Sequence, residues 1–274
     1  MATPFSDFES NFRSAETLLK VFRLLDTPDG PQTTHVLLQG VRDLLMAGDD
    51  EEIILLVNEL FLGAVRESAD MRAAVFKRES LNMLLRQGVV AACSAIDVYY
   101  PALLRAHLPK VIQVKQRNFM PTDRQTRDFL KDLRLSLDEC LRMLSDPHPE
   151  TILGDLVVDN LKRKTLSNKQ GVAVVLQILG VEEPWDRIAE RLGQPRDALE
   201  RQFEALVSRR NDIIHRGDRG SADPNGPVQA IALAWTDNHV RTAKSVALAS
   251  RELVDAQMEL LGTAEAVVPP NTNG

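Results

Sequence analysis

Arg209, Arg210, Asn211, Asp212, His215 and Arg216 form the densest set of side chains in this chain that could do chemistry. They close the stretch Ala198 to Asp218, ALERQFEALVSRRNDIIHRGD. Leu199, Phe203, Leu206, Val207, Ile213 and Ile214 recur there at helical spacing, which predicts an amphipathic helix with one buried face. At about 100° per residue, Arg210 falls inside that apolar stripe, between Leu206 and Ile213. A guanidinium in that position needs a partner or a groove, because leaving it dry and unpaired costs several kcal/mol. Asn211 and His215 lie four apart and share a face. Gly217 reads as the helix stop, which places His215 in the last turn. The helix dipole there favours the imidazolium by about 0.3–1 kcal/mol in an exposed setting. A histidine that titrates near neutrality beside fixed positive charge suits phosphoryl chemistry: the imidazole moves the proton and the guanidinium holds the developing negative charge. Arg210 and His215 are five apart, about 140° around an ideal helix, so both reach one cleft only if it is broad or the helix end unwinds. The plainer reading is a basic helix end whose charges favour the dipole.

The elements that would hold these residues are helical throughout. A loose entry over residues 1–14 precedes a short helix, Ala15 to Leu25, closed by the turn Thr27-Pro28-Asp29-Gly30-Pro31. Thr33 or Thr34 caps a second helix reaching Met46, and Glu51 to Ser68 is strongly apolar. These segments read as an N-terminal helical extension over residues 1–66. A long helix is expected from Met71 to about His107, kinked or broken at Pro101. Within it Ala91, Ala92, Ser94 and Ala95 allow close helix approach, and Asp97 follows as either a solvated acid or a site-lining residue. Tyr99 and Tyr100 read as core and rim aromatics. Lys110 to Thr122 reads as a polar crossing. Thr122 or Asp123 then caps a helix to Leu144, with Phe129, Leu133, Leu137 and Leu141 on one stripe. Thr151 to Lys164 is the next helix, ending in the basic cluster Lys162-Arg163-Lys164. Ser167-Asn168-Lys169 caps another through Leu179, a short helix carries Trp185 and Ile188, and Gln194-Pro195-Arg196-Asp197 launches the helix described above. Residues 219–227 form a flexible loop by composition, Asp237 to Gly262 a last amphipathic helix, and residues 263–274 a disordered tail.

Composition agrees with an ordinary globular chain. Of 274 residues, 44% are hydrophobic and 26% charged, enough to bury a sizeable core. Only 5% are aromatic, which favours helices over sheet. The net charge of −6 excludes a global pull toward nucleic acid, so any RNA contact must come from a local basic patch. Cys93 and Cys140 sit within apolar helical patterns and read as buried structural thiols. No metal-ligand spacing links them to the five histidines, so neither metal nor cofactor is expected. No secretory leader and no uninterrupted apolar run of membrane-spanning length is read, which predicts a cytoplasmic protein without a membrane partner.

Arg210-Asn211-Asp212-Ile213-Ile214-His215 resembles the R-x4-6-H signature of HEPN domains, and RRNDIIHRGD closely resembles the version in the RiboL-PSP-HEPN branch. GVVAACSAIDVYYPALL, residues 88–104, is similar to that branch's early long helix, and Gly180 to Val207 to its approach to the motif. The resemblance covers residues 67–262. It implies an all-α helical bundle, to which the N-terminal extension is either an appendage or a set of extra packed helices, and a homodimer in which two such helices face each other across a shared cleft. It further implies a metal-independent endoribonuclease, with Arg210, His215 and Asn211 as catalytic residues and Asp97 and Asp212 as accessory ones. Arg209 and Arg216 would hold RNA phosphates. The associated roles are toxin, antiviral-defence or stress effector, restrained by an antitoxin or regulatory protein. One subgroup carries a tyrosine two residues beyond the histidine as a modification target; here that position is Gly217, so this control is not implied. The alternative is a non-catalytic helical scaffold or nucleic-acid or protein adaptor whose RRNDIIHR is a dimer seam. A small-molecule enzyme built around Asp97 and the tyrosines has no motif behind it.

Overall fold

A computed structural model of the chain describes residues 3–25, 78–116, 119, 123–131, 134–161, 166–219 and 226–267. Every regular element among them is an α-helix: α1 (Pro4–Leu25), α2 (Arg78–Lys115), α3 (Arg124–Leu130), α4 (Leu137–Ser145), α5 (Pro149–Leu161), α6 (Lys169–Ile178), α7 (Pro184–Leu192), α8 (Arg196–Arg216) and α9 (Leu233–Val267). The expected all-α class therefore stands. The described chain forms two compact units, one of residues 3–9, 93–207 and 241–267, the other of residues 10–92 and 208–240.

The first unit is built on α2 and α9. Cys93, Ile96, Tyr99, Tyr100, Leu103, Leu104, Leu108 and Val111 of α2 are buried, as are Ala243, Val246, Ala247 and Val254 of α9. The tyrosines are core residues with satisfied hydroxyls: Tyr99 donates to the Ala247 carbonyl at 3.2 Å, and the Tyr100 hydroxyl pairs with Ser250 at 3.1 Å. Burial pushes both phenols far above their ordinary range, so neither is an acid or base near neutrality. Phe8 packs on Tyr99 with ring centroids 5.0 Å apart, and Phe5 meets the same ring edge-on. The helix expected from Ala15 thus begins at Pro4. Phe5, Phe8 and Phe12 extend its apolar face toward the N-terminus, and Phe5 and Phe8 pack within the first unit.

Two further boundaries differ from the sequence expectations. α2 runs through Pro101 and Pro109 to Lys115, so neither a break at Pro101 nor a polar crossing from Lys110 is found. Burial of side chains on both sides of Pro101 holds the helix against the one hydrogen bond each proline removes. α5 also lies close against Pro109: a Cβ on Gly154 would stand 3.3 Å from its ring. The single helix expected from Asp123 to Leu144 is two, α3 and α4. Asp123 caps α3 as expected, accepting from the Thr126 amide at 2.9 Å. Ser136 and Glu139 form a capping box that starts α4 instead. Leu137 and Leu141, expected on a buried stripe, are exposed.

The apolar window within Ser80–Lys115 is long enough and, at a mean hydropathy of 1.3, apolar enough to cross a membrane by length and composition. Half of it is buried inside the protein, as in a core helix. Asn168 caps α6 through the Gly171 amide at 2.7 Å. α9 starts at Leu233, four residues before Asp237, and continues to Val267, so residues 263–267 of the expected tail are helical. Cys93 is buried, whereas Cys140 is half-buried. The segments expected over residues 27–68, the basic cluster 162–164, most of the loop expected at 219–227 and the last seven residues lie outside the described residues.

His107, half-buried on α2, titrates below its ordinary 6.5 because burial disfavours the imidazolium, against a weaker pull from Asp255. Its folded pKa is the lower one, so the unfolded chain takes up the proton first. Stability is therefore lost as pH falls below the unfolded value, and the loss levels off below the folded one. Thermal unfolding should show the melting temperature dropping between about pH 7.5 and 5.5. His107→Gln should remove part of that drop; an unchanged slope would mean that His107 does not carry it.

Candidate active site

α8 starts at Arg196, with Asp197 in its first turn where the dipole favours negative charge. Leu199, Phe203, Leu206 and Val207 bury its inner face, and Phe203 meets Trp185 edge-on at 5.4 Å in the first unit. The stripe predicted to reach Ile214 ends at Val207. None of residues 208–217 is buried, and Ile214 is 49% exposed. The last turns of the helix lie within the second unit, and their side chains are exposed or half-buried.

There Asn211 and His215 stand exposed on one face, and Arg210 is half-buried beside them. The Arg210 guanidinium donates through Nη1 to the Asn211 side-chain oxygen at 3.1 Å. This bond ties the arginine to Asn211, which shares a helix face with His215 one turn on. Asp212 is half-buried and pairs with Arg216 one turn on at 2.9 Å. Arg216 remains 46% exposed.

The helix stops as predicted. Gly217 takes φ +60°, a region that admits glycine without strain, and a Cβ there would also come within 3.1 Å of Arg219. Asp218 follows at φ +64°, a conformation that aspartate tolerates better than most residues. Its amide donates to the Asp212 carbonyl at 2.9 Å, and its carbonyl accepts from the Gln229 amide at 2.8 Å. The side chain of Asp218 is fully buried between two arginines. Nε of Arg86, from α2, donates to one carboxylate oxygen at 2.5 Å, and Arg209 lies against both oxygens at 2.7 and 3.0 Å. The guanidiniums also hold backbone: Arg86 donates to the Gln229 carbonyl at 2.8 Å and Arg209 to the Ala230 carbonyl at 2.9 Å. Arg209 further sits 5.8 Å over the ring of Trp235, which stacks on His239 with centroids 4.0 Å apart.

The sequence-derived candidates thus separate. Arg210, Asn211 and His215 come together at an open helix end, with Asp212 and Arg216 paired alongside. Arg209 does not join them as a phosphate holder, because its guanidinium is committed to Asp218 and to backbone carbonyls. Asp97 lies half-buried on α2 in the first unit. A cleft of about 750 Å³ in that unit is lined by Lys115, Arg187, Arg191 and Gln257, and a second of about 550 Å³ by Lys169, Trp185, Arg196 and Glu200. Neither contains Asp97 or the tyrosines. Among the described residues no three His, Cys, Asp or Glu side chains are grouped as a metal would need.

Sequence reasoning missed Arg86, Asp218 and Gln229. A signal existed for Arg86: it stands three before Val89 and seven before Cys93, a charge on an apolar helical face like the one noticed at Arg210.

An all-helical fold with an R-x4-H helix end opened to solvent defines a class of protein in which that helix end is the centre of interest. The RiboL-PSP-HEPN family profile matches residues 51–232, more than half of the chain, and the chain belongs to that family. The matched region starts earlier than the expected residue 67 and stops before α9. No curated protein and no solved structure matches the chain. Membership points to an RNA-related function of nuclease type.

Proposed function

We propose that this protein is a metal-independent endoribonuclease whose composite site forms where two copies bring their α8 ends together. The observation that carries the reading is the exposure of Asn211 and His215 on one face of the helix end, with half-buried Arg210 hydrogen-bonded to Asn211. Cleavage through the 2′-hydroxyl needs a base to take its proton and an acid to protonate the leaving 5′-oxygen. One chain offers one motif histidine; two copies of His215 across a twofold axis supply both. Arg210 stabilises the charge on the phosphorane-like transition state and Asn211 orients the phosphate or the imidazole. The products then carry a 2′,3′-cyclic phosphate or a 3′-phosphate. Exposed Ile214, beside the site, is the kind of apolar residue that an isologous seam covers. In the cell such an activity fits a toxin or a stress or antiviral effector, held in check by a partner protein.

The test is RNA cleavage in EDTA by purified wild type and His215→Ala, with the mass of each in solution. Cutting by a wild-type dimer alone supports the reading; equal cutting by both proteins, or none over a broad set of RNAs, removes it. Arg216→Ala should leave kcat within a factor of about two, raise KM several-fold and reduce the slope of log affinity against log salt by about 0.7, as loss of one single-strand phosphate contact does.

A helical adaptor is the second reading. It is favoured by α4, whose Leu137, Leu141 and Leu144 form an exposed apolar row at helical spacing. It requires that His215→Ala leave every measurable function intact.

A further inference from the structure

Val207 is the last buried side chain of α8, and ten residues follow before the next buried one, Asp218. Of those ten, Arg209, Arg210, Asp212 and Ile213 are half-buried and the rest exposed, so no fully buried side chain anchors the motif from within. Helix C-termini without buried side chains fray, because their last carbonyls lack intrahelical partners. What meets the end of α8 is the junction at Asp218. Its amide ties to the Asp212 carbonyl within the motif, and its carbonyl ties to the Gln229 amide on the segment before α9. Its carboxylate is gripped by Arg209 from α8 and by Arg86 from α2.

We propose that Asp218, clamped between Arg86 and Arg209, is the positioning residue of the site: it fixes the closing turn of α8 so that His215, Asn211 and Arg210 are presented in one geometry. The proposal rests on the ribonuclease reading for its consequence in activity, while its structural part stands apart from that reading. A buried carboxylate taken by two guanidiniums fixes direction as well as distance, which an apolar plug in the same space would not. Asp218 touches no substrate in this scheme, and it acts through His215, three residues before it.

The experiment compares wild type, Arg86→Lys and Asp218→Asn at a temperature where circular dichroism shows all of them helical. Arg86→Lys keeps a cation near the carboxylate but loses the fork; Asp218→Asn keeps the shape but loses the charge. Expected for both folded variants is a fall in kcat of about 10- to 10²-fold, as for a small misplacement of a reacting group, with KM within about twofold. In parallel, the His215 ring signals and the hydrogen-exchange protection of the Asn211–Arg216 amides are followed by NMR. Both should change in the variants, with protection lost first at the helix end. Should Asp218→Asn fail to fold, Arg86→Lys carries the test alone. Wild-type kcat in a folded variant whose ring signals and protection are unchanged overturns the proposal. If the wild type cuts no RNA, the ribonuclease reading fails by itself, and the NMR comparison still decides: altered signals and protection uphold the positioning role, and unchanged ones overturn it.

Discussion

His215→Ala is expected to lower kcat for RNA cleavage by about 10³-fold or more while leaving helical content and oligomeric mass unchanged. The structure explains why the two effects separate. The imidazole is exposed, and the nearest buried anchor in sequence is Asp218, so removing the ring opens no cavity. A single acid or base contributes about 10²- to 10⁴-fold, and in a symmetric dimer one substitution removes both the base and the acid. The composite arrangement adds a sharper expectation. When wild type and His215→Ala subunits are mixed and allowed to exchange, activity should fall with the square of the wild-type fraction. A site complete within one chain would instead give a linear fall. Linear dependence with a dimer in solution would break the composite site but keep the nuclease; full activity of the pure variant would break both.

Asp218→Ala is expected to destabilise the fold by about 3–5 kcal/mol, because it leaves two guanidiniums buried around an empty place. Arg86 and Asp218 have side chains 8% and 1% exposed, so water cannot replace the lost carboxylate without opening the structure. For a chain of this size the loss corresponds to a drop in melting temperature on the order of 10 °C. The control is Asp212→Ala, which breaks a pair whose arginine is 46% exposed and should cost under about 1 kcal/mol. Thermal or urea unfolding of the two variants side by side measures the contrast. A drop for Asp218→Ala no larger than for Asp212→Ala would mean that the buried triad contributes little.

The helical class, the caps at Asp123 and Asn168, the start of α8 and its stop at Gly217 were legible in the sequence. Each depends on residues within a few positions of one another: the 3.6-residue period, a side chain bonding an amide three residues on, a glycine where φ turns positive. The shared face of Asn211 and His215 was legible for the same reason, since they lie about one helical turn apart. Tertiary structure decided the rest. α2 passes through two prolines because burial outweighs a local penalty, and Leu137 and Leu141 are exposed because no element among the described residues covers the face their period defines. Arg209 and Arg210 are neighbours of the same type, and the helical period singled out Arg210, not Arg209, as the one within the apolar stripe. One binds Asp218 inside the protein and the other stands with the motif, because Asp218 is completed by Arg86, 132 residues away in the chain. A pairing at that separation leaves no periodic trace in a single sequence; only the folded chain brings its members to hydrogen-bond distance.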